Sequence, residues 1–292
     1  MCTVINQTKG YHLFGRTLDM SCAYGEEIVV APRGFVFPFE KDRSPSSAPL
    51  ALMGIAHVAG GIPLYYDAFN EEGLCMAALR FPHHAVYHSP QADKINLASF
   101  ALMPYLLRSC ATMEEALDKL QRVNITPDAF SPSLPATPLH WMLSDAHISV
   151  VIESTQRGLC LHTNPYHVMT NAPDFPTQAD HWKKAQATGM IPLEPSSFSR
   201  FARGIYANAH TVSETEPWAA INRFFRVMGT VSQPKGCAKG PDGTPAFTVY
   251  TSCGDPKELA YYVTIYESQR VRKVQITRAQ MSGKELWRFE MA

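Results

Sequence analysis

The amino-acid sequence predicts an α+β fold in which two β-sheets lie sandwiched between helical layers. Three observations lead there. Strand-like and helix-like segments come in blocks (strands, helices, strands, helices, strands) rather than alternating one by one as βαβ units do. The 292 residues contain no internal repeat, low-complexity tract or linker. A chain of this length can also bury one large core. The expectation is one domain over residues 1–292.

The blocks read in order. Residues 3–6 and 11–14 flank Gln7-Thr8-Lys9-Gly10, a polar turn ending in Gly, and so predict a β-hairpin. A four-residue turn would pair Asn6 with Tyr11 and Cys2 with Gly15. Further strands are predicted at 26–31, 50–56 and 74–81, with an exposed loop over 40–49. Helices follow over 97–109 and from Thr112, whose spacing to Glu115 is that of a capping box. Four prolines make 125–138 a loop. Strands resume at 139–144, 149–154, 159–163 and 167–170. Helical patterns cover 178–187, 199–209 and 216–228. Strands close the chain at 247–252, 258–267 and 271–278, the middle one rich in β-branched and aromatic residues.

Composition removes several functions. Lys+Arg and Asp+Glu are both 26, so the net charge is zero. That takes away the attraction to phosphate on which nucleic-acid binders rely, and a polybasic membrane surface with it. No run reaches the ~18 apolar residues of a membrane span. The first residues lack the charged and apolar regions of a signal peptide. The seven cysteines are odd in number and widely spaced, with no CxxC. They predict free thiols in a reducing cytoplasm rather than a disulfide framework or zinc ribbon. His83, His84 and His88 lack partners at ligand spacing, so neither a metal nor another cofactor is expected. No GxSxG, HExxH, P-loop or GxGxxG occurs.

The chemistry concentrates at the amino terminus. Cys2 has a small side chain, so removal of Met1 is expected. Thiol and α-amine would then belong to one residue, and an α-amine titrates near ~7.7–8.0, where it can serve as a base. The hairpin brings Arg16 near Cys2, and its charge favours the thiolate. Asp19, three residues on, could hold the ammonium. The bland alternative is an incidental Cys2 with Arg16 and Asp19 as a surface ion pair.

A wider set of residues decides between these. Met1-Cys2-Thr3, Phe14-Gly15-Arg16-Thr17-Leu18-Asp19 and Asn70-Glu71-Glu72-Gly73-Leu74 resemble the choloylglycine hydrolase family. So do Leu139-His140-Trp141, Ser149-Val150-Val151-Ile152-Glu153, Met169-Thr170-Asn171-Ala172-Pro173, Ser199-Arg200-Phe201 and Tyr250-Thr251-Ser252, in the family's order and over nearly the whole chain. That family contains conjugated bile salt hydrolases and penicillin V acylases. The resemblance implies an αββα sandwich of the N-terminal nucleophile type and hydrolysis of linear amides. It implies Cys2 as nucleophile, Arg16 and Asp19 as its neighbours, Asn171 as an oxyanion donor and Arg200 as an electrostatic partner. A backbone N–H near Arg80 would be the second oxyanion donor.

Two departures from the family pattern carry expectations. Arg80 stands where the family's bile salt hydrolases usually have Asn and its penicillin acylases Tyr. The cation either attracts an anionic substrate group at the mouth of the site or pairs with a carboxylate. The stretch from Asn171 to Arg200 is much shorter than in typical bile salt hydrolases, where it includes a tongue that helps assemble a tetramer. A homo-oligomer remains open, but the usual tetramer is not expected.

The acyl pocket is expected among residues 20–24, 57–69 and 129–138, with Met20, Tyr24, His57, Tyr65, Phe69 and Phe130 as candidates. Core packing is an equal alternative for Tyr65, Tyr66 and Phe69, and Trp141 and Trp218 are expected in the core. The leading reading is a deconjugating bile salt hydrolase acting on a small amphipathic amide. A penicillin V acylase or related N-acyl amidase comes second, and a silent binder of amphipathic ligands third.

Overall fold

The computed structural model describes residues 1–40, 49–240 and 243–292. Most of the predicted loop over 40–49 lies outside these residues; Glu40 closes a short 3-10 turn, Pro38–Glu40. The first strands are β1 (Cys2–Gln7), β2 (Leu13–Met20), β3 (Glu26–Ala31), β4 (Leu52–Ala59), β5 (Ile62–Asn70) and β6 (Cys75–Arg80). Then come β7 (Ile95–Ala98), helices α1 (Leu102–Ser109) and α2 (Met113–Leu120), and β8 (Val123–Thr126). The middle strands are β9 (Leu139–Ser144), β10 (Ser149–Thr155), β11 (Gly158–Thr163) and β12 (Val168–Thr170). Helices α3 (Phe175–Thr188), α4 (Ser197–His210) and α5 (Pro217–Gly229) follow. The last strands are β13 (Ala238–Lys239), β14 (Pro245–Asp255), β15 (Ala260–Ile265), β16 (Ser268–Gln275) and β17 (Trp287–Phe289).

Two sheets result. One runs β12-β1-β2-β14-β15-β16 with β13 beside β14, and the other runs β11-β10-β9-β6-β5-β4-β3-β17. Within both, neighbouring strands are antiparallel. Helices α4 and α5 cover the outer face of the first sheet, and α1 covers the second. Val4, Phe14, Phe69, Met142 and Tyr261 fill the space that the sheets share, while Leu102 and Leu106 of α1 pack on Met76, Trp141 and Leu143 of the second sheet's outer face. This is the α+β sandwich the order of blocks predicts. Trp141 is fully buried, but Trp218 is 51% exposed on the first turn of α5, leaning on Tyr262.

The local departures have local causes. The first hairpin exists, but Cys2 faces Leu18 and Val4 faces Arg16, three residues beyond the predicted Cys2–Gly15 register. Tyr11 and His12 do not join the strand. Gly10, at φ +78°, bridges to Glu214, and Tyr11 donates its N–H to Glu214 and its hydroxyl to Asp255. Tertiary partners thus lengthen the turn. Strand β5 runs through Ile62–Asn70, where the sequence predicts no strand. The signal was Gly60-Gly61, both at positive φ, the dipeptide of a two-residue hairpin closed by Ala59 and Ile62. The helix read over 97–109 begins later, because residues 95–98 pair in parallel with β8 before a short 3-10 turn leads into α1. At Thr112 the cap forms, the hydroxyl accepting the Glu115 N–H at 3.3 Å, while the Glu115 carboxylate takes the N–H of Ala111.

Candidate active site

Strand β1 places Cys2 at the edge between sheets, with β12 on one side and β2 on the other. Antiparallel pairing puts Cys2, Val4, Arg16 and Leu18 on one face, turned toward the second sheet. The predicted set does come together here. The Cys2 N–H donates to Asn171 Oδ1 at 2.6 Å, and Arg200 Nη2 donates to the same oxygen at 3.1 Å. Two donors on Oδ1 fix the amide's orientation. Nδ2 therefore faces the Arg80 carbonyl, at 2.8 Å, and keeps a second proton free of that bond. Arg200 also donates Nη1 to the Cys2 carbonyl and, at 2.8 Å, to Thr3 Oγ1. Asn171 itself is held through its carbonyl by Gln178 Nε2 and, at 2.9 Å, Ser197 Oγ.

Arg16 and Asp19 are 1% and 0% exposed, which removes the surface-ion-pair alternative. Arg16 reaches across to the second sheet where β5 and β6 part, capping the carbonyls of Tyr66 (3.0 Å) and Ala78 (2.6 Å) with Nη1. Its Nε bonds Thr17 O at 3.2 Å, and Nη2 has no acceptor among the described residues. Burial pushes this guanidinium down, but the Cys2, Tyr250, Asp67 and Asp19 groups around it hold it above its ordinary value. It stays charged. Burial also pushes Arg200 down and the Asp19 carboxyl up, against the pull of Arg200 on Asp19. Thr248 Oγ1 donates to Asp19 Oδ1 at 2.7 Å, Oδ2 has no partner among the described residues, and the Met1 ammonium lies on the Asp19 carbonyl at 2.7 Å.

The second sheet contributes backbone. Phe81 N–H donates to Pro138 on the β9 side at 2.8 Å. In an antiparallel strand, peptides alternate sides, so the Arg80 N–H and C=O face the Cys2 side. The expected N–H near Arg80 is that of Arg80 itself. The Arg80 side chain is exposed and has no carboxylate within ion-pair distance among the described residues. The salt-bridge expectation is therefore not met among them.

The pocket candidates divide. Met20 is half-buried beside the shared core and Tyr24 is exposed. His57 Nδ1 lies 2.9 Å from the Tyr24 carbonyl, which ties β4 to the 20–24 loop. Phe130 is half-buried, edge-on to Phe100 at 5.3 Å. Tyr65 and Phe69 are core instead. Tyr65 packs under α1, and Phe69 stacks on Tyr261 at 5.4 Å. A bulge leaves Tyr66 unpaired between the Ile55–Asp67 and Ala56–Tyr65 pairs and turns it toward the first sheet, its ring 5.9 Å from the Arg16 guanidinium carbon.

Sequence reading missed Asp67. This buried carboxylate accepts from Tyr250 (3.2 Å), Ser252 (2.8 Å) and Tyr261 (2.6 Å) and faces Arg16 as its nearest countercharge network. The Tyr250-Thr251-Ser252 motif was visible, but its target was not. His84 stacks on Phe81 and His88 bonds Thr155 O, and among the described residues no His, Cys, Asp and Glu cluster is placed to hold a metal.

With this geometry in hand, similarity to known proteins becomes decisive. Residues 2–289 match the choloylglycine hydrolase family of linear amide C–N hydrolases. The chain belongs to that family. It is accordingly an amidohydrolase of linear amides with the N-terminal nucleophile fold. Among relatives of the choloylglycine hydrolase family, a bile salt hydrolase/transferase of Lactiplantibacillus plantarum is 32% identical over 98% of this chain and 95% of its own. The conjugated bile acid hydrolase of Clostridium perfringens shares the fold at a TM-score of 0.88 and 24% identity, over 99% of this chain and 97% of its own. A penicillin V acylase of Agrobacterium tumefaciens does so at 0.80 and 24%, over 98% and 90%. No helix among the described residues is long and apolar enough to cross a membrane.

Proposed function

We propose that this enzyme deconjugates glycine- or taurine-linked bile salts, with Cys2 as nucleophile. One observation carries the assignment of Cys2: its backbone is held by Asn171 and Arg200 while the charged Arg16 stands beside it with Nη2 uncommitted. The relatives named for bile salts carry the substrate.

While Met1 is attached, the Cys2 nitrogen is an amide and cannot accept a proton. After Met1 is removed it is an amine, and it takes the proton from Sγ as Sγ attacks the scissile carbonyl carbon. The oxyanion is received by the second Asn171 Nδ2 proton and the Arg80 N–H. Collapse breaks the C–N bond, and the α-ammonium returns its proton to the leaving amine. The amine then deprotonates a water that attacks the thioester, releasing the acid and the Cys2 thiol. Asp19, fixed by Thr248 and with Oδ2 unpartnered among the described residues, holds the ammonium form.

Thiol and amine suffice for this chemistry, so the reading includes no cofactor, metal, nucleic-acid or membrane partner. The free thiols Cys22, Cys160 and Cys237 fit a reducing cytoplasm. Only residues 172–174, α3 and residues 189–196 lie between Asn171 and α4, so an oligomer built on a long tongue there does not fit.

The test is product-amine release from glycocholate, taurocholate, penicillin V and an N-acyl homoserine lactone, for wild type beside Cys2→Ala. Bile salt turnover that vanishes in Cys2→Ala is expected. Good penicillin V turnover with neither bile salt cleaved would transfer the assignment to the acylase branch. Retained Met1 by intact mass, with no turnover of any substrate, would favour a silent binder.

A further inference from the structure

We propose that Arg80 is a specificity-determining residue whose guanidinium receives the anionic group on the leaving amine, so that the enzyme selects N-acyl amino acids and N-acyl aminosulfonates over neutral amides. The proposal rests on the reading that Cys2 attacks the amide.

The placement comes from the backbone. Arg80 is the last residue of β6, and its carbonyl is one side-chain amide away from the Cys2 nitrogen, through Asn171 Nδ2 (2.8 Å) and Oδ1 (2.6 Å). Its N–H is one of the two oxyanion donors. A substrate whose carbonyl oxygen sits there must run its leaving group past the Arg80 residue. In a glycine conjugate, the carboxylate lies about one residue length, ~3.5 Å, beyond the scissile nitrogen. That separation is within the reach of an arginine side chain.

The charge is available. Exposed Arg33 and Arg288 are committed to Glu71 and Glu27, whereas no carboxylate among the described residues pairs with Arg80. The Tyr24 phenol is held up by its hydrogen bond to Cys22 and by burial, with the Arg80 charge pulling the other way. Tyr66, raised by burial and by Glu26, also feels Tyr24 and Cys2. Tyr24 thus lies within the field of Arg80, and Tyr66 places its ring 5.9 Å from the carbon of the Arg16 guanidinium beside Cys2. A guanidinium presents a planar fork that matches carboxylate and sulfonate oxygens, and it stays charged at any working pH.

The experiment compares substrates with one acyl group and different charge. Glycocholate and taurocholate are set against the neutral cholylglycinamide, for wild type, Arg80→Gln and Arg80→Lys. The readout is the ratio of kcat/KM between anionic and neutral substrates. Arg80→Gln should lower that ratio about five- to tenfold, mainly through KM, with partial recovery in Arg80→Lys. Added salt should lower the ratio in wild type more than in Arg80→Gln. A ratio unchanged in Arg80→Gln, or one equally salt-sensitive in both, overturns the proposal. Wild-type enzyme that cleaves penicillin V alone would end the bile salt reading and not this one. The same ratio is then measured on penicillin V and its methyl ester, whose leaving amines differ in the same charge.

Discussion

Arg108 and Arg16 are both buried arginines, 2% and 1% exposed, and they do opposite things. Arg108 spends all five of its N–H donors. Nε meets Glu40 at 2.8 Å, and the two Nη groups take the carbonyls of Pro32, Leu50, Arg33 and Phe35. Its charge is neutralised by a carboxylate, and it pins the 32–40 segment and Leu50 to α1. Arg16 caps three carbonyls, leaves Nη2 without an acceptor among the described residues and has no carboxylate within ion-pair distance among them. The first arrangement is a structural clamp; the second leaves a field pointed at a thiol. Burial alone does not separate a structural arginine from a functional one, but the account of donors and countercharge does.

The largest effect should come from removing that field. Arg16→Met takes a buried charge from beside Cys2 and uncaps the Tyr66 and Ala78 carbonyls, so alkylation of Cys2 at pH 7, and turnover with it, should slow by roughly 10²–10³-fold, the scale of losing a preorganised charge or donor at a reacting centre. Circular dichroism of the variant separates this from misfolding. Unchanged alkylation in a folded variant would leave Arg16 a clamp like Arg108.

Asn171→Ala tests the other half of the site. Loss of one oxyanion donor should lower kcat by about 10²–10³, with KM nearly constant. Because Asn171 also orients the Cys2 backbone through Oδ1, Asn171→Asp keeps an acceptor but loses the donor. It should lose about as much activity as the alanine variant.

How far this was legible in the sequence follows the same division. Periodicity and caps, which are local signals, made the sandwich, its helices and most of its strands legible, but not β5, β7, β8, β13 and β17. Cys2, Arg16, Asp19, Asn171 and Arg200 were legible through motif order, although the hairpin register behind the first argument was off by three residues, Leu18 standing where Gly15 was expected. Tyr66 rather than Tyr65 faces the site, and no local signal marks the bulge at Tyr66 that turns it there. Asp67, and the donors that Arg16 leaves free, were not legible at all. They depend on which carbonyls the second sheet exposes where β5 and β6 part, and nothing local encodes that.

Arg108→Met should invert the pattern. It strands the Glu40 carboxylate, which is partly exposed, and four buried or part-buried carbonyls. Stability should fall by about 3 kcal/mol, near the low end for breaking a buried pair, while kcat per folded molecule holds. Chemical denaturation beside a turnover assay checks both. A kcat loss comparable to that of Arg16→Met would erase the distinction between the two arginines.

The smallest effect concerns pH, and there too the clamp and the site differ in sign. Glu153 accepts from His140 Nδ1 at 3.3 Å and from the Phe175 N–H at 2.9 Å, joining β9 and β10 to the start of α3. Burial pushes its carboxyl up, but the His140 and His162 contacts outweigh this and hold it down at about 2 from 4.5. A carboxyl depressed by folding binds fewer protons folded than unfolded. Its stabilisation is complete above the unfolded value and drains away as pH falls from 4.5 toward 2. Asp19 and Asp67 are raised by burial, so they oppose folding once they ionise. Glu153→Gln should therefore destabilise by roughly 1–3 kcal/mol at pH 7 and flatten the dependence of Tm on pH across that acid window. Asp67→Asn should leave the acid slope in place. A Glu153→Gln curve parallel to wild type between pH 5 and 2.5 would mean that the acid response does not come from this carboxylate, and Asp19 and Asp67, whose sign is opposite, could not supply it in its place.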